Sequence, residues 1–440
     1  MTPRTRYALL GVIVLLYTSY SVARFARIEE VRLFNDSARY LELAAESPAS
    51  TSFWVANRPP IVPLLYKLAG RDPDRIARMQ LAASILAWTC LALVVASRLA
   101  PPWVGIVGCA TVLAFSTLPS LAVWQGTILS ESFSFSLLAG LIAVWIVLLG
   151  HRTRTLAVVA VVLGVAYSLA RDTNALAVAM VAAFVLVTTR DPGPGRGILA
   201  GVAVVYVCTF AATVYLSDLG GRWVPSLYNN VAQRILTSED RTEEFRRAGM
   251  PVDEALRGRS GKYAWDDDAA FFEAPELAGF RSWAYARGRG TYASFLAKRP
   301  LYFLAAPLAA APSLLRFEPG FFAADGYPSG LRLGPIFSSG IVMTLGLLLC
   351  AGMTAWGLSR RELRRAPLFR VSAALLMLAL PGIWFTWHAS AMEIERHALH
   401  FVVPGRIGFV LMSLFFLSHR QHDRGRDVVR SQRATRSDAP

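Results

Sequence analysis

Apolar residues run along this chain in blocks of membrane length, separated by short polar punctuation. Stretches 7–23, 76–99, 102–118, 130–149, 198–216, 335–358, 368–387 and 400–417 approach or exceed the ~20 apolar residues that cross a bilayer as helix. Two more, 156–170 and 175–188, have the same character but are shorter. The runs are continuous instead of alternating in ~10-residue pieces, which excludes a transmembrane β-barrel. The predicted fold class is therefore all-α. It is a polytopic membrane protein with about ten transmembrane helices, interfacial helices and a small external helical loop domain.

The polar intervals supply the rest of the organisation. An N-terminal transmembrane module, 1–217, contains a first external loop, 24–75. In that loop Asn35-Asp36 reads as a helix start, with Asn35 able to act as the cap and Ala38, Leu41 and Ala45 recurring on one face. Asn57-Arg58-Pro59-Pro60 then breaks the chain, and 61–68 forms a second short apolar helix. Neither piece is long enough to span, so both are expected along the membrane surface. The segment 218–299 mixes acidic and basic residues with many aromatics, as a folded loop domain does. A C-terminal module, 300–418, opens with 301–315, which is short and contains Pro307 and Pro312. A basic tail, 419–440, is expected on the cytoplasmic side without stable order.

Composition sharpens this picture. The chain of 440 residues is 54% hydrophobic and 17% charged, with a formal net charge of +15. Much of the positive charge lies at Met1–Arg6, His151–Arg154, Arg190–Arg196, Ser359–Arg365 and after Ser418. Short basic segments beside apolar runs fix topology by the positive-inside rule, so no nucleic-acid surface is implied. Holding those segments in the cytoplasm requires 301–315 to be re-entrant or interfacial. The expected location is a bacterial-type cytoplasmic (inner) membrane, with the first apolar stretch retained as a signal anchor. Cys90, Cys109, Cys208 and Cys350 all sit in apolar stretches, which indicates neither a disulfide framework nor a cysteine metal site.

That topology brings Asp36, Glu131, Arg171-Asp172, the 218–299 segment, Phe317–Arg332 and Glu393–His397 to the outer face. Charges that gather at helix ends on one face mark a candidate site at the membrane–water boundary. Each also has a plainer role. Asp36 can cap a helix, Arg58 and Arg171 can snorkel, and Glu131 can answer the helix dipole. In Glu393-Ile394-Glu395-Arg396-His397, a helix would pair Glu393 with His397 and Arg396 with His400 at i, i+4. Asp266-Asp267-Asp268 reads as a solvated acidic turn. Tyr263, Trp265, Trp283, Tyr285 and Tyr292 are either the loop's own core or a sugar-stacking surface.

The acidic residue in the first external loop, Asp36-Ser-Ala-Arg-Tyr40, is followed by Arg58-Pro-Pro-Ile-Val-Pro-Leu-Leu65. Leu129-Ser-Glu-Ser132 then opens the fourth apolar run. This pattern resembles the GT-C superfamily of glycosyltransferases, nearest its protein O-mannosyltransferase and aminoarabinose transferase branch, over roughly residues 1–180. The resemblance implies transfer of a sugar, with inversion, from a polyprenyl-phosphate carrier to a lipid, polysaccharide or protein acceptor of the cell envelope. It implies Asp36 as the base, Arg58, Arg171 and Arg396 on the donor phosphate, and Tyr40, Glu131, Glu393 and His397 around the substrates. Many members carry two adjacent acidic residues in this loop, where this chain has Asn35-Asp36. No metal or other cofactor is therefore assigned, and a divalent ion lacks the acidic pair that would support it. The expected partners are the lipid-linked donor, the acceptor and membrane lipids. The rival classes are a lipid or saccharide transporter or flippase, and a polymerase or ligase of lipid-linked saccharides. Against transport, no internal repeat with matching Gly/Pro-broken helices is found.

Overall fold

The computed structural model describes residues 1–189, 194–315 and 340–437. The Phe317–Arg332 stretch, expected at the outer face, lies outside the described residues. Among those described the chain is helical throughout, apart from one isolated parallel bridge between Arg32 and Thr127. The protein is an all-α polytopic membrane protein.

Helix α1 (Pro3–Phe25) is followed by three short helices of the first loop, α2 (Asn35–Ala45), α3 (Thr51–Val55) and α4 (Ile61–Leu68). Next come α5 (Pro73–Arg98), α6 (Pro102–Ser116), the brief α7 (Pro119–Ala122), α8 (Glu131–His151), α9 (Arg154–Ser168), α10 (Asp172–Thr188) and α11 (Pro194–Leu219). The loop domain contributes α12 (Val224–Asn230), α13 (Glu239–Arg247), α14 (Glu254–Arg257), α15 (Asp266–Glu273), α16 (Ala278–Trp283) and α17 (Arg289–Lys298). The C-terminal part holds α18 (Pro300–Leu314), α19 (Gly340–Ser359), α20 (Arg361–Arg365), α21 (Pro367–Ala389) and α22 (Ile394–Ser437).

Among the described residues six helices are long and apolar enough to cross a membrane: α1, α5, α8, α11, α21 and the apolar part of α22. The pair α6 and Pro119–Gly126 passes together but bends by 57°. Helices α9 and α10, at 15 and 17 residues, are ~22 and ~26 Å long at ~1.5 Å per residue, short of a ~30 Å hydrocarbon core. The α18 segment is likewise short and apolar, with Pro307 and Pro312 inside the helix.

Helices α8, α21 and α22 are the most enclosed, and α1 and α11 the most peripheral. The α21–α22 pair approaches closely because glycines on each helix leave room for the other. A Cβ on Gly382 would lie 2.2 Å from Phe401, and one on Gly408 2.9 Å from the Ser372 carbonyl. Close backbone approach of this kind drives helix association where lipid supplies no hydrophobic force. Two apolar cores result, one among the membrane helices and one within the loop domain. The final helix does not stop near 418 but continues to Ser437. Beyond Gly425 the sequence lacks Gly and Pro until Pro440, so neither of the strong helix breakers interrupts it there.

Candidate active site

The first loop reaches its position through backbone bonds. Arg32 N donates to Gly126 O at 2.9 Å and Ile128 N to Arg32 O at 3.0 Å, while Ser37 Oγ donates to Ile128 O at 2.7 Å. These bonds staple the start of α2 beside the start of α8. The helix start corrects the sequence expectation. Phe34 is the cap residue, and its N–H is taken by Ser37 Oγ at 2.9 Å, so Asn35 does not cap. Asp36 stands in the first turn with its carboxylate turned to other partners.

Helix α4 brings Arg58 alongside. Ile61 N donates to Leu169 O at 3.2 Å, joining the Arg-Pro-Pro break to the chain just ahead of Arg171. Lys67 closes the other end of α2, its Nζ donating to Ala44 O at 3.2 Å and Glu46 O at 2.9 Å, as cations do at helix C-termini. Tyr66 Oη donates to Leu129 O at 2.9 Å and its ring meets Tyr40 edge-on.

The charged groups form one connected network. Asp36 accepts from Arg58 through Oδ1 and from Arg396 NH1 through Oδ2, the latter at 3.3 Å. Arg396 NH1 also reaches Glu393 at 2.7 Å, and its Nε donates to Glu131 at 2.7 Å. Glu131 accepts a second bond from Arg171 NH1 at 2.5 Å, and Arg171 NH2 lies 2.9 Å from His397 Nδ1. Three guanidinium and three carboxylate charges balance. Glu131 is fully buried, where a carboxylate is tolerable only when paired and hydrogen-bonded. Glu393 adopts φ 47°, a left-handed conformation that non-glycine residues rarely take and that recurs at functional sites.

Above this network opens a cavity of about 2070 Å³. Asp36, Tyr40, Arg58, Arg171, Glu393, Arg396 and His397 all line it, so seven of the eight site residues expected from sequence converge on one space. The eighth, Glu131, lies beneath the floor and holds Arg171 and Arg396 from behind, not in the substrate space itself. The opposite wall is apolar, with Phe210 and Val214 of α11, Phe303 and Leu304 of α18 and Trp384 and Phe385 of α21. Val214, Leu304 and Phe385 are exposed, so the cavity has an open apolar flank as well as a polar one.

Other expectations at the C-terminal cluster are revised. Glu393 precedes the helix, and its side-chain partner is Arg396, while His397 pairs with Arg171 instead of Glu393. Glu395 faces outward, and buried His400 stacks on Phe135. Among the described residues no three His, Cys, Asp or Glu side chains gather as metal ligands. Both oxygens of Asp36 accept from arginine.

The loop domain forms the roof through contacts the sequence did not signal. Arg222 donates to Ala56 O at 2.7 Å, Trp54 O at 3.0 Å and Asp172 Oδ1 at 2.9 Å. It thereby clasps the first loop to the start of α10. Asn230 Nδ2 donates to His388 O at 2.9 Å, and the Arg234 guanidinium lies 4.3 Å from the Trp387 ring centroid. Arg234 sits in the loop domain, and burial lowers its basicity below the usual arginine range. The aromatic residues divide. Trp283 and Tyr292 belong to the loop's own core, Tyr263 and Tyr285 are exposed, and exposed Trp265 stacks on Phe272 at 4.4 Å and lines the cavity. Asp266 accepts from the Tyr263 N–H at 2.7 Å and opens α15.

No protein-family model matches the chain, and no curated protein matches it. Solved structures are similar at low identity. The archaeal oligosaccharyltransferase AglB from Archaeoglobus fulgidus, in complex with an inhibitory peptide and a dolichol-phosphate, is 14% identical, with 97% of this chain and 52% of that chain covered at a TM-score of 0.45. The apo form of the Archaeoglobus fulgidus oligosaccharyltransferase is 11% identical, with the same coverage and a TM-score of 0.47. The chain spans about half the length of the structures it matches. The functional reading of the cavity therefore rests on its own residues.

Proposed function

We propose that this protein is a GT-C type membrane glycosyltransferase. It moves a sugar from a polyprenyl-phosphate carrier to a cell-envelope acceptor with inversion, at the outer face of a bacterial-type inner membrane. The observation that carries this reading is a carboxylate, Asp36, bonded to two arginines, with a third in the same network, at a cavity that also has an apolar wall. An acceptor hydroxyl gives its proton to Asp36 as its oxygen bonds to the sugar C1. The C1–O bond to phosphate breaks in the same displacement, and polyprenyl phosphate leaves with the bonding electrons. Guanidinium groups meet the charge that develops on that phosphate, and planar bidentate donors suit it better than ammonium.

Asp36 accepts one hydrogen bond on each oxygen, from Arg58 and Arg396, and each oxygen keeps a second lone pair for an acceptor hydroxyl. A donor phosphate entering a network of balanced charge competes for those same guanidinium groups. Arg396 can turn its NH1 while Glu131 still holds its Nε. Donor binding thus neutralises the phosphate and loosens the cationic hold on the base, which raises its proton affinity.

The test compares wild type with Asp36→Asn in proteoliposomes, using labelled polyprenyl-phosphate sugars and envelope acceptors. Loss of a positioned general base costs about 10²- to 10⁴-fold in turnover. Unchanged turnover in a folded Asn variant sinks the reading.

A further inference from the structure

His397 carries an inference about protonation that depends on geometry alone. Its Nδ1 lies 2.9 Å from Arg171 NH2. A guanidinium only donates, so Nδ1 must be the accepting nitrogen. The ring's proton is then on Nε2, and the occupied Nδ1 has no room for a second. Arg171 is itself fixed by its bond to buried Glu131 at 2.5 Å, so the tautomer is set through a chain running from α8 to α22. Among the described residues His397 Nε2 makes no hydrogen bond, and it is not among the buried orphaned atoms. The part-buried ring lines the cavity, which leaves Nε2–H directed into it.

The neighbours define what that N–H meets. Arg396 is the preceding residue, and Arg171 holds the ring from the other side. A group lodged between them faces donors, and a ligand atom that only accepts satisfies them all. The cavity lining beside the ring carries the guanidinium residues Arg58, Arg171 and Arg396, which favour an anion over a neutral hydroxyl. We propose that His397 is locked as the neutral Nε2–H tautomer and donates that proton in a hydrogen bond to an anionic phosphate oxygen of the lipid-linked ligand. This rests on the transferase reading for the ligand's lipid link, but not for the tautomer.

Two measurements test it on the full-length protein in nanodiscs. In the first, imidazole ¹⁵N spectra of histidine-labelled wild type are assigned by difference against His397→Gln. The expected result is an unprotonated Nδ1 and a protonated Nε2 for His397 at neutral pH. A protonated Nδ1 overturns the proposal. In the second, polyprenyl phosphate and inorganic phosphate are titrated into wild type, His397→Gln and His397→Asn. A Gln amide nitrogen occupies the place of Nε2, whereas an Asn amide replaces only Nδ1. Polyprenyl phosphate should bind His397→Asn roughly 10- to 100-fold more weakly, the worth of a hydrogen bond to a charged group. His397→Gln should stay within about threefold of wild type.

The same ranking with inorganic phosphate assigns the contact to the anion alone, and a ranking only with polyprenyl phosphate assigns it to the lipid headgroup. Equal binding by all three proteins, or equal weakening of both variants, overturns the contact. Intact turnover in Asp36→Asn with the His397 ranking preserved removes the transferase reading and leaves the anion contact standing.

Discussion

Removing the Glu131 carboxylate is the sharpest test of how this site is held. The residue is fully buried, and a single oxygen, Oε1, accepts both from Arg171 NH1 at 2.5 Å and from Arg396 Nε at 2.7 Å. The two arginine side chains are only 11% and 7% exposed, so solvent screens neither. Glu131→Ala leaves two guanidinium charges near the membrane boundary with no partner beneath them, a loss of about 3–5 kcal/mol for a broken buried pair. Glu131→Gln keeps an acceptor oxygen in place and removes only the charge, so its cost should be smaller, about 1.5–3 kcal/mol. The assay is detergent-titrated unfolding in mixed micelles, followed by tryptophan fluorescence, with Ser132→Ala as a control for small changes at the same helix start. If Glu131→Ala costs no more than that control, the carboxylate is not what holds the arginines.

Three further outcomes are expected. Gly220→Ala would place a Cβ 2.3 Å from Val55 O and 2.7 Å from Ala56 O, forcing the segment before Arg58 to shift. Overpacking of this kind costs about 1–3 kcal/mol, and turnover should fall at unchanged expression. Arg222→Lys cannot serve two carbonyls and Asp172 with one planar fork; protease cleavage near residues 54–58 should accelerate, and unchanged cleavage would refute the clasp. In the loop domain, hydrogen bonds from Arg246 and Arg247 hold the Glu243 carboxyl down to about 2. Because the folded value lies below the unfolded one, its contribution is present above pH ~4.3 and is lost as pH falls toward 2. Glu243→Gln should therefore flatten the acid dependence of loop-domain protease resistance across that window.

The membrane helices were legible because continuous apolar runs have few other physical uses. The site charges were legible for the complementary reason. A charged group at the edge of an apolar run carries a desolvation cost, so Asp36, Glu131, Arg171 and Arg396 stood out against their surroundings. Arg222, Asn230 and Arg234 did not, because in a loop full of charge and polarity nothing marks the residues that reach another element. The cap at α2 was misassigned for a local reason. Asn, Asp and Ser stand together there, and only the bond from Ser37 to Ile128 decides which one serves the backbone. Glu131 was placed among the substrates because sequence locates a residue along a helix and says little about its depth beneath a cavity floor.

The Arg396–Glu131 pair joins residues 265 positions apart, and Arg396–Asp36 joins residues 360 apart. During synthesis Glu131 therefore enters the bilayer boundary long before its second counter-charge exists. Arg171 arrives 40 residues later and provides interim neutralisation, but Asp36 and Glu131 share a common cation only once the last helix is inserted. Insertion of that helix is thus the step that completes the charge balance of the cavity floor. A nascent chain halted before Ile394 would carry a formed first loop and an apolar wall, yet no working anion site. Assembly order alone would keep the partly made protein silent toward the ligand proposed above.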